Sequence, residues 1–376
     1  SKATISGCTN YGTIKGIGRS AGIAYWSNGT IENCINNGNV IGGWDLGGIL
    51  AWVVASFYNP DDVIDLLFIS HFDNDHINGI RELKKRTSNI RNIVVPLIEE
   101  NDFWYYQIEN PSFETFYRSL SEIADSAVYR VKPYNEDEEE NNIPINDVAP
   151  IILSENGRVD KKVSCTTKFA LAPHIDWCYI TFNYDQQIRL TKLQNELAIQ
   201  GITEDILKQG WGIMEQHLKE IKQAYKRVAK DGANNSSLIV YSGGMYNSYN
   251  CRRHKIRQPN CNCFGRFEFL ESEGCLYLGD TDLNQPKLLD TLINRLNLVI
   301  DRISTIQIPH HGAYKNFNPN IMMLNANWQD FFVSFGNTNS YGHPSVKVVS
   351  TITRQSNLFA ITENRDSVYI QIIKKR

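Results

Sequence analysis

The sequence lacks an apolar run long enough to cross a bilayer, which takes about 20 consecutive apolar residues. It also lacks an excess of charge of one sign, since 38 basic and 41 acidic residues give a net charge of -3. An anionic partner must therefore be attracted by a local patch rather than by the whole surface. Eight cysteines in 376 residues are too few to be the main source of stability, so a disulfide scaffold is excluded.

What is present is an ordinary globular composition, with 42% hydrophobic and 21% charged residues. The length predicts two or three domains. The chain begins at Ser1 without a methionine, and no charged segment followed by an apolar one marks a signal peptide. We therefore expect a processed chain or a fragment. A cytoplasmic location is the expectation, and an extracellular or cell-surface location is the alternative.

Residues 1–52 differ from the rest because they are rich in Gly, Asn and Thr and repeat themselves with a period of 26 residues. Ile5, Cys8, Asn10, Gly12, Ile14, Gly16, Gly22 and Ile23 recur as Ile31, Cys34, Asn36, Gly38, Val40, Gly42, Gly48 and Ile49. Such a period predicts one structural unit per repeat, and short apolar strands between Asn-x-Gly turns favour a β-solenoid over helical repeats. The pattern resembles the GLUG repeat of bacterial surface proteins, which implies a protein partner for this segment.

From residue 61 onward, strand-like and helix-like segments alternate. Strands are predicted at Val63–Ile69, Ile90–Val95, Cys178–Phe182, Leu238–Ser242, Cys275–Leu278, Ile303–Ile308 and Phe331–Phe335 and around Phe359 and Tyr369. Helices are predicted at Gly79–Arg86, Gln187–Lys230, Pro286–Arg302 and Ser345–Ile352. The second of these regions is expected to break near Gly201 or Gly210. This interleaved order predicts an α/β sandwich with mixed sheets.

The densest chemical signal lies directly after the first of these strands. His71, Asp73, Asp75 and His76 place four metal-ligand side chains within six residues. Carboxylates crowded in this way repel each other unless a divalent cation compensates them. The alternative is an acidic turn with Asp75 as the N-cap of the next helix, but capping needs one carboxylate rather than a cluster.

Three more segments place ligand-type residues just after apolar strands. Asp280 follows Leu276–Gly279, His310 and His311 follow a second strand, and His343 lies in the loop after a third. Each signal is weak alone, because a lone histidine or a Gly-Asp turn is common. Strand-end loops on one sheet edge converge, so the residues together predict a single cluster.

These motifs resemble those of the metallo-β-lactamase-fold hydrolases, in particular the branch found in the ComEC DNA-uptake proteins. His71–His76 matches the family motif His-x-His-x-Asp-His, with Asp73 in place of the second histidine, and Asp280 matches the bridging aspartate of the Leu-Gly-Asp motif. Pro309–Ala313 matches Pro-His-His-Gly-Ser, and Asn339–Pro344 matches Asn-x-Tyr-Gly-His-Pro. Asn235–Val240 resembles the Asn-x-Ser-Leu-Val strand of the branch. The resemblance implies an αββα sandwich over residues 61–376, with insertions at about 100–235 and 243–274.

The resemblance also implies a site with two divalent metal ions, Zn²⁺ or Mn²⁺. His71 and Asp73 would hold one ion, Asp75 and His76 the second, and Asp280 would bridge them. His310 or His311 would supply a further ligand, and the other could give a proton to the leaving oxygen. His343 would be a ligand or a donor to the transition state. The catalytic candidates are then Asp75, His310 and His343, and the carboxylate-rich ligand set favours Mn²⁺ over Zn²⁺ relative to the family norm.

One departure from the family concerns the start of the fold. Members normally have several strands before the first histidine motif, whereas here the repeats run almost directly into Val63. Either the repeats replace that edge of the sandwich, or the domain lacks its first strands.

The resemblance favours cleavage of phosphodiesters, by a nuclease or phosphodiesterase acting on DNA or another such substrate. The basic run Arg252–Arg257 could follow a nucleic-acid backbone, although a solvated basic loop is an equal alternative. Two other functions remain open. One is an interaction or surface protein with a vestigial hydrolase domain, and the other is a lactonase, thioesterase or β-lactamase on the same fold.

A second, structural metal is a separate hypothesis. Cys251, His254, Cys261 and Cys263 offer four zinc-type ligands within thirteen residues of an insertion in which no secondary structure is predicted. A long loop without secondary structure needs a cross-link, such as a bound metal ion, to hold its conformation. Free or disulfide-bonded thiols are the alternative, because the spacing matches no common zinc finger.

Overall fold

The computed structural model describes most of the chain from residue 63 onward and short strands before it. The described residues are 4–6, 9–10, 14–15, 30–32, 35–36, 40–41, 63–77, 79–87, 89–108, 110–135, 145, 147–153, 158–173, 175–184, 187–228, 237–246, 249–254, 267–270, 272–324, 329–336, 342–362, 367 and 369–375.

Strands and helices alternate along these residues. The strands are β1 Thr4–Ser6, β2 Thr9–Asn10, β3 Ile14–Lys15, β4 Thr30–Glu32, β5 Ile35–Asn36, β6 Val40–Ile41, β7 Val63–Phe68, β8 Asn89–Pro96, β9 Ala127–Val131, β10 Ile151–Ile152, β11 Val159–Val163, β12 Lys168–Ala170, β13 Trp177–Phe182, β14 Ile239–Gly244, β15 Tyr249–His254, β16 Phe267–Leu270, β17 Gly274–Tyr277, β18 Ile303–Gln307, β19 Asp330–Ser334, β20 Asn357–Ile361 and β21 Ile370–Lys375. The helices are α1 Asn74–Ile77, α2 Ile80–Arg86, α3 Phe103–Gln107, α4 Phe113–Ile123, α5 Gln187–Ala198, α6 Glu204–Leu207, α7 Trp211–Met214, α8 Leu218–Val228, α9 Leu288–Arg295 and α10 Val346–Thr353.

Two sheets form the body of the fold. The larger has eight strands in the order β10-β12-β13-β14-β17-β18-β19-β20, and it is mixed, with antiparallel pairs from β12 to β17 and parallel pairs from β17 to β20. The smaller has four strands in the order β11-β9-β8-β7, all of them parallel. The predicted α/β class with mixed sheets is therefore confirmed.

Apolar side chains arrange these sheets and the helices in four layers. Leu66, Val94 and Val131 of the smaller sheet pack against Phe169 and Val240 of the larger sheet, so a buried core lies between the two. The other face of the smaller sheet packs against α2, α3 and α4. The outer face of the larger sheet packs against α9 and α10. The order is thus helices, sheet, sheet, helices.

The stretch 100–235 contributes to these layers as well as to a separate helical group. Strands β9 and β11 belong to the smaller sheet, and β10, β12 and β13 belong to the larger one. Helices α5 to α8 form a core of their own with Trp104 and Ile108, beside α3. The helical region predicted over 187–230, with a break near Gly201 or Gly210, is interrupted near both glycines, which adopt positive φ angles of 78° and 94°.

The stretch 243–274 contains an antiparallel pair, β15 and β16, and β15 also pairs with β21 near the C-terminus. The expectation that this stretch lacks secondary structure is therefore wrong, and the need for a metal staple loses its main argument. Cys251 and His254 lie on β15, whereas Cys261 and Cys263 lie outside the described residues. The structural-metal hypothesis stays a prediction.

The short N-terminal strands pair in a single register. Thr4 pairs with Thr30, Thr9 with Ile35, and Ile14 with Val40, all in parallel. Each partner lies one sequence repeat further along the chain, which is the register that stacked repeats require. Cys8 and Cys34 lie outside the described residues, as does the acidic run at 136–140. No described helix has the length and apolar character needed to span a membrane.

A partly buried ion pair lies between the edge of the smaller sheet and helix α4. Arg130 of β9 donates from Nε to Asp160 Oδ1 over 2.8 Å and from Nη2 to Oδ2 over 2.9 Å. Its guanidinium carbon lies 4.1 Å from the centre of the Tyr117 ring on α4. Burial alone would raise the pKa of the Asp160 carboxyl, but hydrogen bonds from Arg130 and Ser121 outweigh it and hold the pKa below its usual value.

We predict that Asp160→Asn lowers the free energy of unfolding at pH 7 by about 1 kcal/mol, because the Asp160 side chain is 40% exposed and solvent screens part of the interaction. A lowered folded-state pKa stabilises the protein above the unfolded value of about 3.9, and this contribution is lost as the pH falls through the folded-state pKa. Urea unfolding at pH 7 and pH 3 should show a smaller deficit at pH 3 than at pH 7. The exposed Asp147→Asn is the control, and a deficit of equal size at both pH values would contradict the prediction.

Candidate metal centre

The ends of neighbouring strands bring the candidate ligands to one edge of the sandwich. His71 and Asp73 follow β7, Asp280 follows β17, and His310 and His311 follow β18. Strands β17, β18 and β19 are parallel neighbours, so their carboxyl ends meet at the same edge. The Leu238 N–H before β14 donates to the Ser70 carbonyl oxygen over 2.8 Å, which joins the end of β7 to that edge.

Phe72 anchors the first ligand loop in the apolar core. Its side chain is only 3% exposed and lies 5.2 Å from both the Phe113 and the Tyr117 ring centres of α4. Alternation along an extended segment then turns the residues on either side, His71 and Asp73, away from that core. The Asp73 carbonyl oxygen accepts the N–H groups of His76 and Ile77 and so begins α1, the single turn that carries His76.

Asp280 lies at the centre of the cluster. Its Oδ2 lies 3.6 Å from His71 Nε2 and 3.8 Å from His310 Nε2, whereas its Oδ1 lies 3.7 Å from His76 Nε2. The two carboxylate oxygens therefore face different imidazoles. Asp73 Oδ2 lies 3.6 Å from His71 Nε2 on the other side. One ligand atom each from His71, His76 and Asp280 can be chosen so that all lie within 4.8 Å of one another.

The paired histidines are held by an unusual backbone. His310, His311 and Gly312 have φ angles of 47°, 52° and 81°, all in the left-handed region that only glycine enters without cost. Two such non-glycine residues cost of order 1–3 kcal/mol each, and strain of this kind clusters at functional sites. His311 Nδ1 donates to the Ser334 carbonyl oxygen over 2.7 Å. This bond fixes the tautomer of His311 with the proton on Nδ1, so that the lone pair on Nε2 can bind a metal ion.

The loop that carries His343 packs directly on the paired histidines. The Ser345 N–H donates to the Gly312 carbonyl oxygen over 2.9 Å, and a Cβ at Gly312 would lie 2.6 Å from Pro344 Cβ. The His343 ring centre is 5.8 Å from that of His310. Burial, followed by the charges of His310 and His311, lowers the pKa of His343, so its neutral imidazole is favoured near pH 7. Neutral imidazole is also the form that binds metals.

Ser237 links the two halves of the cluster. Its Oγ accepts the Asp280 N–H over 2.8 Å and lies 3.1 Å from His71 Nδ1. Ser70 Oγ lies 3.0 Å from the same nitrogen. Gly279, with a φ angle of 54°, leaves room for this contact, since a Cβ there would lie 2.7 Å from Ser237 Cβ. Either hydroxyl can accept a hydrogen bond from the Nδ1–H of His71, and in this tautomer the Nε2 lone pair can bind a metal ion at the centre.

The spacing of these groups fits a bound cation. Separations of 3.6–3.8 Å between imidazole nitrogens and carboxylate oxygens are longer than hydrogen bonds. Tetrahedral coordination with bonds of about 2.1 Å places neighbouring ligand atoms about 3.4 Å apart. Nitrogen and carboxylate ligands suit Zn²⁺ and Mn²⁺. The residues present therefore fit a divalent metal, and ion pairs with protonated histidines are the competing interpretation of the same distances.

Of the predicted ligand set, the structure places ligand atoms of His71, His76 and Asp280 within 4.8 Å of one another, and Asp73 and His310 lie beside this group. His311 and His343 lie nearby, with ring centres 6.1 Å from His76 and 5.8 Å from His310. Asp75 lies on α1, and its side chain is outside the described residues. The sequence did not identify the positioning roles of Ser70 and Ser237. The one signal for Ser237 is its place in the Asn-x-Ser-Leu-Val segment.

We predict that the purified protein binds divalent metal and that His71→Ala removes most of it, because His71 faces both Asp73 and Asp280. Metal content after dialysis would be measured by mass spectrometry. His217→Ala, which alters a histidine in the helical group outside the cluster, should leave the metal content unchanged. Equal metal in the wild type and in His71→Ala would contradict a site at this cluster. Loss of all metal from His71→Ala would contradict an independent site at Cys251 and His254.

We predict that Ser237→Ala weakens metal binding about ten-fold, because outer hydrogen-bond partners of a ligand histidine contribute about 10–100-fold to affinity. Ser70→Ala should have a smaller effect, since Ser237 would still hold His71 Nδ1. Competition with a fluorescent chelator gives both affinities. Ser119→Ala on α4, which removes only a bond to the Phe116 carbonyl, is the matched control. An unchanged affinity in the Ser237→Ala, Ser70→Ala double variant would contradict this role.

No family model, curated protein or solved structure matches this chain. The interpretation of the site accordingly depends on its own geometry and on the sequence motifs.

Proposed function

We propose that this chain is a metal-dependent hydrolase of phosphodiesters, related to the ComEC-like branch of the metallo-β-lactamase fold. The observation that carries the proposal is the position of Asp280. One of its oxygens faces His76 and the other faces His71 and His310, which is the arrangement expected of a carboxylate that bridges two cations.

The architecture supports the family proposal. The order of helices, sheet, sheet and helices agrees with an αββα sandwich, and the cluster lies at the strand ends where the family motifs would place it. Strand β7 is the last strand of the smaller sheet among the described residues, so the family's first strands would pair beside it. Residues 42–62 lie outside the described part of the chain. The parallel register of the N-terminal strands supports the proposed β-solenoid. A protein partner for this segment is part of the proposal.

The proposed metal complement is two divalent ions, Zn²⁺ or Mn²⁺. His71 and Asp73 would hold one, His76 with Asp75 the other, and Asp280 would bridge them. When bound, such ions activate water as a nucleophile and stabilise the charge of a phosphodiester during an in-line displacement.

The three remaining histidines would then serve as a further metal ligand and as a proton donor. His311 is the better ligand of the pair, because its Nδ1 proton is committed to the Ser334 carbonyl oxygen. His310 Nδ1 is buried and has no hydrogen-bond partner among the described residues, so His310 is the better candidate to pass a proton to the leaving oxygen. The neutral form of His343 suits a ligand more than an acid.

The choice of phosphodiester over lactone or lactam follows from the charge of the ligands. Two carboxylates, Asp73 and Asp280, lie among the histidines of the centre, and oxygen ligands favour harder cations such as Mn²⁺. Two-cation sites of this kind serve phosphoryl transfer in many enzymes. Single-stranded DNA is therefore the first substrate to test.

We predict hydrolysis of single-stranded DNA and of bis-p-nitrophenyl phosphate after the metal-free protein is loaded with Mn²⁺, and slower hydrolysis with Zn²⁺. Asp280→Asn should reduce the rate by at least about 100-fold, because it removes the bridging charge. Asp290→Asn, an exposed residue on α9, is the control. A lactone or β-lactam turned over faster than either phosphodiester would contradict the proposed substrate. Activity with Zn²⁺ but never with Mn²⁺ would contradict the metal preference.

A further inference from the structure

A shallow groove lies between helix α10 and the chain that follows the paired histidines. Its volume is about 400 Å³, within the range of about 300–1,000 Å³ typical of small-ligand sites. Its walls include Asn284, Tyr314, Phe317, Lys347, Ser350 and Thr351. The lining thus combines aromatic rings, hydroxyls, an amide and one cation.

Three residues of the groove lie close in sequence to residues of the candidate metal centre. Tyr314 follows His311 by three residues, Lys347 follows His343 by four, and Asn284 follows Asp280 by four. An extended chain covers at most about 3.6 Å per residue, so each of these residues lies within about 15 Å of its ligand. A molecule bound at the centre would reach the groove with its next one or two units.

Tyr314 and Lys347 form a contact that places an aromatic ring beside a positive charge in the groove. The Lys347 ammonium lies 4.6 Å from the centre of the Tyr314 ring, a cation–π distance. The Tyr314 side chain nevertheless stays largely in contact with solvent, since the residue is 54% exposed. The exposed part of the Tyr314 side chain leaves surface on which a flat apolar group could pack.

Hydrogen bonds hold the backbone of the segment that carries Tyr314. Asn284 Nδ2 donates to the Lys315 carbonyl oxygen over 2.7 Å and to the Phe317 carbonyl oxygen over 3.4 Å. The buried Asn316 donates from Nδ2 to the Asp280 carbonyl oxygen over 3.1 Å. The segment that carries Tyr314 is therefore tied to the Asp280 loop. A ligand that stacks on the Tyr314 ring would therefore spend little free energy on ordering the backbone of this segment.

The charge of the groove suits an anion. No carboxylate lines it among the described residues, and its one charged group is the Lys347 ammonium. The nearby Asp282 accepts hydrogen bonds from the Asn284 backbone and side chain. In a chain with a net charge of -3, a cation beside an exposed aromatic ring is the local attraction that an anionic substrate needs.

We infer that this groove is the binding subsite for the nucleotide next to the scissile phosphate, with the base stacked on Tyr314 and its phosphate beside Lys347. The inference rests on the proposed phosphodiesterase function and specifies the substrate as single-stranded nucleic acid. Stacking on an aromatic side chain requires an unpaired base, and it tolerates all four bases because each has a π face. The hydroxyls of Ser350 and Thr351 donate to the Lys347 carbonyl oxygen over 3.1 Å and 2.8 Å, so towards a nucleotide they can act only as acceptors.

The test is binding of fluorescein-labelled hexathymidylate to the metal-free protein in chelator, followed by anisotropy. All variants share the same metal-free centre, so differences between them report on the groove. Tyr314→Ala should weaken binding about ten-fold, whereas Tyr314→Phe should stay within about two-fold of the wild type, since both rings stack. Lys347→Ala should weaken binding about five-fold and reduce the slope of log affinity against log salt by about 0.7, the loss of one phosphate contact.

A hexamer that has the same phosphates but no bases separates base stacking on Tyr314 from phosphate binding by Lys347. On this probe Tyr314→Ala should have no effect, whereas Lys347→Ala should keep its effect. The matched controls are Tyr246→Ala, which removes a tyrosine that is 66% exposed elsewhere, and Lys219→Ala on α8. Equal losses in Tyr314→Ala and Tyr246→Ala, or a Tyr314→Ala effect that persists on the abasic probe, would overturn the subsite. If the variants change the affinity for hexathymidylate as expected but the protein hydrolyses no phosphodiester, the proposed function is overturned. If the protein hydrolyses phosphodiesters but Tyr314→Ala does not change the affinity, only the subsite is overturned.

Discussion

The hydroxyl of Ser237 is the contact on which the candidate centre depends, because it joins the two sheets where the ligands meet. His71 follows β7 of the smaller sheet, and Asp280 follows β17 of the larger one. Ser237 Oγ lies 3.1 Å from His71 Nδ1 and accepts the Asp280 N–H over 2.8 Å. Neither sheet alone contains a complete ligand set. The site therefore exists only when the sheets pack face to face, and the apolar core between them is a condition for its chemistry.

That packing also offsets local features that are unfavourable by themselves. Left-handed backbone at His310 and His311 costs free energy, and Asp73 and Asp280 bring two carboxylates to one side chain, His71. The surrounding structure holds these groups in place through Phe72 in the core and through the hydrogen bond from Ser345 to Gly312. Such features are typical of functional sites, where geometry is retained against the preference of the isolated segment.

Sequence patterns predicted the strands that precede the ligands, because each is a short apolar run followed at once by polar residues. Val63–Ile69 and Ile303–Ile308 differ from β7 and β18 by only one residue at their ends. The strands β9 and β11 were missed. All five residues of β9 are buried, whereas four of the five residues of β11 are exposed, so neither shows a two-residue alternation. The helix predicted over Pro286–Arg302 is much longer than α9, which ends at Arg295. The role of Ser237 could not be predicted, since its partners lie 166 and 43 residues away in the chain.

In the proposed function, the charge of the centre would link metal binding to substrate binding. Without cations, Asp73 and Asp280 would repel the phosphate at the centre, and the net charge of -3 does not compensate for this, so attraction would come only from a local group such as Lys347. Two divalent cations would reverse the sign of the local field, so substrate affinity should rise with metal occupancy. Binding linkage is reciprocal, which means that the anionic substrate must raise the affinity for the cations by the same factor. A centre with two carboxylates among its ligands is thus suited to a substrate that carries its own negative charge, whereas a neutral lactone would gain nothing from this coupling.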